Sequence, residues 1–410
     1  MPIRALAPVA TLLLSAAILL AGQGLQGTLL PVRASLEQFS TVAIGAMGAA
    51  YFLGFTLGCL KGGELLRRVG HIRVFLAMSA MASAAPLLHG LMVGPVIWGL
   101  LRVLTGFCLA SLYIVIESWL NERATNANRG LIFATYSMIT LTMMAAGQMM
   151  TLLYDPVGLQ LFVITSVLFS IGAVPIALSL SPSPAQPAST KTNIRRLIEV
   201  SPSGTVGCFA VGLSNGAFWG LSPIYAASVG DAVTMAAWFM AAAVIGGAIL
   251  QWPLGLLSDA IGRRKVLFGV CVFGASAGLA LALLQSKLGP TAAVVLGGLW
   301  GAFAFPMYSI AVAYANDYAD PKEYVKVSAG LLLMYGIGAI IGPFAASALM
   351  TLQGAEGLFV FTAVVHILLI GFVTYRYFKE GKQAEQPIAF SDALSSAQTT
   401  SQVYEEELQD

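Results

Sequence analysis

Long apolar stretches without charged side chains dominate the chain. Eleven of them contain at least 19 residues with no Asp, Glu, Lys or Arg: residues 5–32, 38–60, 74–101, 130–154, 156–190, 200–230, 232–258, 266–286, 288–316, 327–355 and 357–375. A helix needs about 20 apolar residues to cross a bilayer. A twelfth window, residues 95–120, is long enough but contains Arg102 and Glu117. Because the stretches do not alternate as barrel strands do, they predict an all-α integral membrane protein with twelve transmembrane helices.

The composition supports this prediction and excludes several classes of protein. Hydrophobic residues make up 58% of the chain and charged residues 10%, with a mean hydropathy of +0.82. A soluble domain carries about 25% charged residues, so lipid must be the main solvent. The four cysteines stand singly in apolar stretches, which predicts buried free thiols. The net charge of +2 gives no indication of a nucleic-acid partner.

The basic residues predict the orientation in the membrane. When the connections between the twelve spans are assigned alternately to the two sides, 18 of the 21 lysines and arginines fall on the side of the amino terminus. Arg33 and Lys287 fall on the other side, and Arg102 lies within a span. Because basic connections stay in the cytoplasm, both termini are expected there. The expected location is the plasma membrane, the inner membrane in a bacterium.

The two halves of the sequence match each other. The matches keep an offset of 192 residues and then of 195 residues: Gln23-Gly24 with Asn215-Gly216, Pro31 with Pro223, Gly63 with Gly255, Gly70 with Gly262, Gly106 with Gly301, Tyr113 with Tyr308, and Gly147 with Gly342. Two six-helix repeats in the same orientation follow, and such repeats place the substrate site at their interface near the middle of the membrane.

This duplication predicts four segments. An amino-terminal half (1–180) and a carboxy-terminal half (204–378) are joined by a cytoplasmic linker (181–203) that contains SPSPAQP and several basic residues. Residues 379–410 are acidic and rich in Ser, Thr and Gln, so they are expected to form a disordered cytoplasmic tail.

The connection between spans eight and nine carries a recognisable motif. It consists of a glycine, an aspartate, a second glycine and three basic residues: Gly255, Asp259, Gly262, Arg263, Arg264 and Lys265. This motif resembles the signature of the major facilitator superfamily, and residues 67–73 and 117–122 look most like its YcaD-like transporters. The resemblance implies the major facilitator fold and a loop that holds the cytoplasmic gate through ion pairs. The alternative is that these charges only anchor the loop in the cytoplasm.

The first-half copy of this loop departs from the motif. Gly63, Gly70 and Arg73 are present, but Arg67 stands where the aspartate belongs. A cation does not cap a helix amino terminus, whose dipole favours negative charge. The gating contact that the resemblance implies is therefore expected to differ between the two halves.

Two charges within one span are the strongest candidates for function. A charge at the bilayer centre costs about 2.5–3.5 kcal/mol, so such residues usually face the bundle interior and act there. Arg102 and Glu117 are 15 residues apart, about 22 Å along a helix, which is too far for direct pairing. Arg102 and Gly106 also resemble the family's fourth-span motif, which implies proton coupling or an anionic substrate. The alternatives are a structural cation at Arg102 and, at Glu117, a gate-locking ion pair with Arg68 or Arg73.

Several uncharged polar residues are candidates for lining a central cavity: Gln23, Gln26, Tyr113, Asn215 and Tyr308. In the family, spans one and seven face the cavity, which favours Gln23 and Asn215. The alternative for each is a structural hydrogen bond between helices, worth about 0.6–2 kcal/mol.

Together these features predict a secondary active transporter that moves a small solute by alternating access and is coupled to protons. A passive facilitator, a drug efflux antiporter and a transporter-like sensor or scaffold are the alternatives. The sequence contains no H-E-x-x-H, G-x-S-x-G or phosphate-binding loop. We therefore expect no enzyme activity, no cofactor and no metal, and we expect the protein to act as a monomer.

Overall fold

The computed structural model describes residues 9–124, 129–178, 194–284, 287, 289–319 and 324–380, and within them the regular structure is helical. The first half contains α1 (Ala10–Leu36), α2 (Thr41–Val69), α3 (His71–Leu91), α4 (Pro95–Arg123), α5 (Arg129–Met149) and α6 (Gln160–Ala177). The second contains α7 (Ile194–Val200), α8 (Pro202–Ala227), α9 (Ala232–Ile261), α10 (Arg263–Leu283), α11 (Pro290–Ala304), α12 (Pro306–Asn316), α13 (Tyr324–Gln353) and α14 (Gly357–Glu380). Most of the predicted tail lies outside the described residues.

The helices form twelve membrane spans. Within the described residues, eleven helical segments are long and apolar enough to cross a membrane, and α11 and α12 together form one of them. Pro306 divides that span, because proline lacks the N–H that a continuous helix requires. The remaining span is α8, a 26-residue helix with 19 buried residues. A helix surrounded by protein needs less hydrophobicity than one surrounded by lipid, so its composition is compatible with a central position.

Glycines bring the helices of the first half into backbone contact. A Cβ atom added at Gly54 of α2 would overlap the backbone oxygen of Val103, and one added at Gly106 of α4 would overlap that of Tyr51. Each glycine therefore admits the backbone of the facing helix, the close packing that small residues allow in membranes.

The second half repeats these contacts at the predicted offsets. Between α9 and α11, a Cβ atom added at Gly246 would overlap the backbone oxygen of Gly298, and one added at Gly301 would overlap that of Ala243. The same correspondence holds between α1–α5 and α8–α13, where the contacts are Gly24 with Met144, Gly147 with Ala21, Gly216 with Ala339 and Gly342 with Leu213. The predicted fold class of two parallel six-helix repeats is confirmed.

The two halves pack against each other mainly through α2 with α13 and α5 with α9. We call the side of the bundle that carries the α2–α3 and α9–α10 connections the basic face. Two close approaches between the halves lie nearer the opposite face, and a third, between Gly336 and Thr56, lies near the middle of α2. A Cβ atom at Gly45 would lie 2.6 Å from Cβ of Ser347, and one at Gly48 would lie 3.1 Å from Cα of Gly220. The halves therefore meet tightly on the side away from the basic face.

Equivalent glycines form the connections at the basic face. Gly70 separates α2 from α3 with a φ of 86°, and Gly262 separates α9 from α10 with a φ of 99°. Residues with a Cβ rarely adopt these values, so both positions need glycine. The predicted linker includes α7, in the part of 181–203 that the structure describes. The four cysteines are buried free thiols, as predicted.

Candidate functional site

Helix α4 holds Arg102 in the half of the membrane away from the basic face. Arg102 lies seven residues from the start of α4, about 11 Å along its axis. Its guanidinium carbon lies 4.2 Å from the centre of the Tyr51 ring on α2, a cation–π contact. Among the residues that the structure describes, no carboxylate forms an ion pair with this half-buried guanidinium. Among these described residues, the Tyr51 ring is the group that supports its positive charge.

A hydrogen-bonded network extends from Tyr51 along the interior of the first half. The Gln23 side-chain N–H₂ donates to the Tyr51 hydroxyl at 3.2 Å, and the Tyr113 hydroxyl donates to Gln23 Oε1. Tyr113 lies eleven residues after Arg102, which places both on one face of α4. The two predicted residues Gln23 and Tyr113 thus join α1, α2 and α4 beside the arginine.

Glu117 lies one turn beyond Tyr113 on α4. It is only 4% exposed, and its Oε1 accepts a hydrogen bond from the Tyr136 hydroxyl of α5 at 3.3 Å. Arg68 was a predicted partner of Glu117, but it forms an ion pair with Glu64 at 2.7 Å. The carboxylate is therefore buried between α4 and α5.

The second half contributes the residues that are equivalent to Gln23 and Tyr113. Asn215 on α8 is 4% exposed, and within the described residues its Oδ1 has no hydrogen-bond partner. The Tyr308 hydroxyl on α12 also has none there, and the Tyr308 ring packs 5.0 Å from the Tyr335 ring of α13. Asn215 and Tyr308 thus do not form the hydrogen bond that joins their equivalents Gln23 and Tyr113 in the first half.

A stacked aromatic pair lies next to these groups. The rings of Trp219 on α8 and Phe305 are 5.3 Å apart and inclined by 10°. Both side chains are partly exposed although they pack beside Ala145 and Val244, where the two halves meet. Trp219 lies one turn from Asn215, so the two residues share a face of α8.

The structure does not bring Gln26 into the network. It is 2% exposed, and within the described part of the chain neither atom of its amide has a hydrogen-bond partner. Tyr51, Tyr136 and Phe305 belong to no motif that marks them as site residues in the sequence. The only sequence signal for Tyr51 is its aromatic side chain in a glycine-rich span, which is too common to identify a site.

The gating residues of the second half form a buried ion-pair cluster. Arg263 pairs with Asp259 at 2.5 Å and with Asp317, at the end of α12, at 3.3 Å. Its Nη1 also donates to the Ser258 hydroxyl at 2.6 Å. The Arg263 side chain is 2% exposed, that of Asp317 1%, and that of Asp259 33%. Arg263 thus fastens the α9–α10 connection to the end of α12.

The neighbouring basic residues behave differently. Arg264 donates to the Tyr314 hydroxyl at 2.7 Å, and its guanidinium lies 5.6 Å from the Tyr314 and Tyr377 ring centres. Lys265 is exposed. Gly255 is a buried residue of α9.

The first-half loop has a different residue at the position that Arg263 occupies in the second half. His71 occupies the position equivalent to Arg263, is buried, and shares a 3.0 Å hydrogen bond with the Ser118 hydroxyl. Its ring also packs edge-on against Trp119. Arg73 is exposed and Gly63 is partly buried. The two loops therefore differ in chemistry as well as in sequence.

Comparison with known proteins accounts for this architecture. The sequence profile of the Major Facilitator Superfamily matches residues 12–202 and 204–405. The chain belongs to this superfamily. Membership in a family of transporters agrees with the expectation that the protein is not an enzyme. Within the described residues, no group of three or more His, Cys, Asp or Glu side chains is arranged to hold a metal.

The similar proteins are transporters of the same fold. The chain is 28% identical over 365 residues to the uncharacterized MFS-type transporter YcaD of Escherichia fergusonii, a match that covers 88% of this chain and 94% of YcaD. YcaD of Salmonella arizonae gives the same values. Among solved structures, the nucleoside transporter NupG superposes with a TM-score of 0.78 at 13% identity, covering 91% of this chain and 99% of NupG. A bacterial homolog of the lysosomal transporter Spinster, in an inward-facing and occupied conformation, gives 0.72 at 14%, covering 92% and 98%.

Proposed function

We propose that this membrane transporter is a secondary active transporter that moves a small solute by alternating access between its two six-helix halves. The observation that carries this proposal is the half-buried Arg102, which has no carboxylate partner among the described residues and lies beside the network of Gln23 and Tyr113. Charged residues inside a membrane domain are expensive and usually mark a substrate or ion pathway. The solute binds between this network and the second-half residues Asn215 and Tyr308.

Proton coupling is the second part of the proposal. Glu117 is a buried carboxylate one turn from Tyr113, which belongs to the network beside Arg102. Protonation of Glu117 removes a buried negative charge and changes its hydrogen bond with Tyr136. Because Tyr113 and Glu117 share one face of α4, such a change acts on the same helix that holds the arginine. The coupling thus uses two sites on one rigid element.

The proposal includes an orientation. The basic face lies toward the cytoplasm, in agreement with the distribution of lysine and arginine, and the tight approach at Gly45 and Gly48 then closes the outer side. In this arrangement the space between the two halves opens toward the cytoplasm. The protein acts as a monomer in the bacterial inner membrane. On the cytoplasmic side, the Arg263 cluster fixes the α9–α10 connection within the second half.

Reconstitution in liposomes tests the proposal. A library of metabolites is supplied outside the vesicles, and mass spectrometry measures which solutes accumulate when a pH gradient is imposed. We expect at least one solute to accumulate above its external concentration. Accumulation that ignores the gradient would contradict proton coupling, and equilibration without accumulation would favour a passive facilitator.

Replacement of Glu117 by glutamine separates coupling from binding. The amide keeps the size of the side chain and an oxygen that can accept from Tyr136, but it does not titrate. We expect Glu117→Gln to exchange solute across the membrane at a near-normal rate while its gradient-driven accumulation falls at least tenfold. Glu64→Gln is the matched control, because Glu64 lies at the basic face in pairs with Lys61 and Arg68. Full accumulation by Glu117→Gln would assign the coupling to another group.

A further inference from the structure

Arg102 presents an unmatched positive charge in the interior. The Tyr51 ring covers one face of the guanidinium, which leaves its N–H edge available. A guanidinium edge is a planar fork that matches a carboxylate with two parallel hydrogen bonds. Within the described part of the protein no carboxylate occupies this edge. The missing anion is therefore best supplied by the transported molecule.

The neighbouring polar residues do not compete for this role. Gln23, Tyr51 and Tyr113 are neutral and use their polar groups on one another. Across the interface, Asn215 Oδ1 and the Tyr308 hydroxyl lack partners among the described residues, although buried polar atoms normally have one. An amide oxygen only accepts hydrogen bonds. A ligand that carries an O–H or N–H group would satisfy it.

An apolar surface completes the site. Trp219 and Phe305 form a flat, partly exposed stack one turn from Asn215. The Gly48–Gly220 contact relates the depth of this surface in the membrane to that of Arg102. Trp219 is next to Gly220 on the second half, and Tyr51 is one turn from Gly48 on the first half. The arginine side and the aromatic side thus lie at similar depth on opposite halves. Aromatic faces of this kind bind planar apolar groups by stacking.

We propose that the substrate is a small aromatic carboxylate that carries a hydroxyl or amino group. Its carboxylate binds the edge of Arg102, its planar body packs on Trp219 and Phe305, and its donor group bonds Asn215. This inference rests on the proposed transport function and adds the chemical class of the solute. Because the anion and the aromatic body contact different halves, the substrate itself brings the two halves together.

Matched pairs of carboxylate and amide ligands test this chemical class directly. The pairs are benzoate and benzamide, 4-hydroxybenzoate and 4-hydroxybenzamide, mandelate and mandelamide, and indole-3-acetate and indole-3-acetamide. Thermal stability of the detergent-purified protein is measured against the concentration of each. We expect at least one carboxylate to raise the melting temperature in a saturable manner and its amide to have no effect. If no carboxylate exceeds its amide, the proposed class is wrong.

Two variants locate the binding. Arg102→Gln is expected to weaken binding of the carboxylate at least tenfold, whereas Lys61→Gln, at an exposed position near the basic face, leaves it unchanged. Trp219→Leu is expected to weaken binding of the aromatic carboxylate and to leave binding of acetate unaffected. If Arg102→Gln does not fold, Arg102→Lys replaces it, because lysine keeps the charge and loses the fork. Undiminished binding in the folded Arg102 variant would overturn the assignment.

Uptake into liposomes distinguishes the two proposals. If a carboxylate binds but no solute crosses the membrane, the substrate class stands and the transport function fails. If a neutral or cationic solute accumulates under the pH gradient while every carboxylate is ignored, the transport function stands and the class fails. Accumulation of the carboxylate that stabilises the protein, with loss in Arg102→Gln, supports both.

Discussion

Replacement of Gly106 by alanine is expected to destabilise the membrane domain more than any other substitution that adds one methyl group to α4. The new Cβ would overlap the backbone oxygen of Tyr51 on α2, and backbone cannot rotate away as a side chain can. Overpacking in a well-packed interior costs about 1–3 kcal/mol, and here two long helices must separate. We therefore expect a loss at the upper end of this range, or failure to insert as a folded protein.

Gly99 provides the control on the same helix. A Cβ atom at Gly99 has no heavy atom within 4 Å, so Gly99→Ala adds the same methyl group without a collision. Size-exclusion profiles of heated, detergent-solubilised protein compare the two variants with the wild type. We expect Gly99→Ala to match the wild type and Gly106→Ala to aggregate at a clearly lower temperature. Equal stability of the two variants would show that α2 and α4 do not pack as described.

Removal of the Arg263 side chain is the second change with a large expected effect. Arg263 lies between Asp259 and Asp317, and the Asp317 side chain is almost completely buried. Loss of one partner from a buried ion pair costs about 3–5 kcal/mol, because it leaves the other charge uncompensated. Arg263→Ala is thus expected to lower stability strongly. Lys265→Ala, two residues away and exposed, is expected to have little effect.

A double substitution checks the cause of this loss. In Arg263→Ala combined with Asp317→Asn, the buried carboxylate that lost its arginine is also removed, so part of the stability is expected to return. Asp259→Asn is expected to cost less than Asp317→Asn, because Asp259 is one-third exposed and solvent screens its charge. If the double variant were no more stable than Arg263→Ala, the ion pair with Asp317 would not explain the effect.

The sequence predicted the fold in detail because hydrophobic length and glycine spacing are local properties of the chain. The offsets that align Gly24 with Gly216 and Gly106 with Gly301 correspond to equivalent backbone contacts in the two halves. Such contacts depend on the absence of a side chain, and that absence is visible in the sequence.

The partners of polar side chains were less predictable. One alternative places Glu117 in an ion pair with Arg68 or Arg73, but Glu64 is one turn from Arg68 on the same helix and pairs with it. Tyr51 approaches Arg102 because Gly106 admits the α2 backbone. These contacts depend on how the helices are rotated about their axes, and a hydrophobicity pattern without a strong polar face does not fix that rotation.

We expect transport to require that the two halves move relative to each other. Thr56 on α2 and Gly336 on α13 test it, because a Cβ atom at Gly336 would lie 3.4 Å from that of Thr56. Disulfide-bonded cysteines have Cβ atoms about 3.5–4.5 Å apart. Thr56→Cys and Gly336→Cys are introduced into a variant whose four native cysteines are replaced by alanine.

Solute accumulation in liposomes is measured before oxidation, after oxidation and after reduction. A protease site is inserted in the 181–203 segment, so that cleavage separates the two halves unless a disulfide joins them. Mobility on gels after cleavage then gives the fraction of cross-linked protein. We expect accumulation to fall in proportion to cross-linking and to return on reduction, while the single-cysteine variants are unaffected. Full accumulation by completely cross-linked protein would contradict alternating access between the two halves.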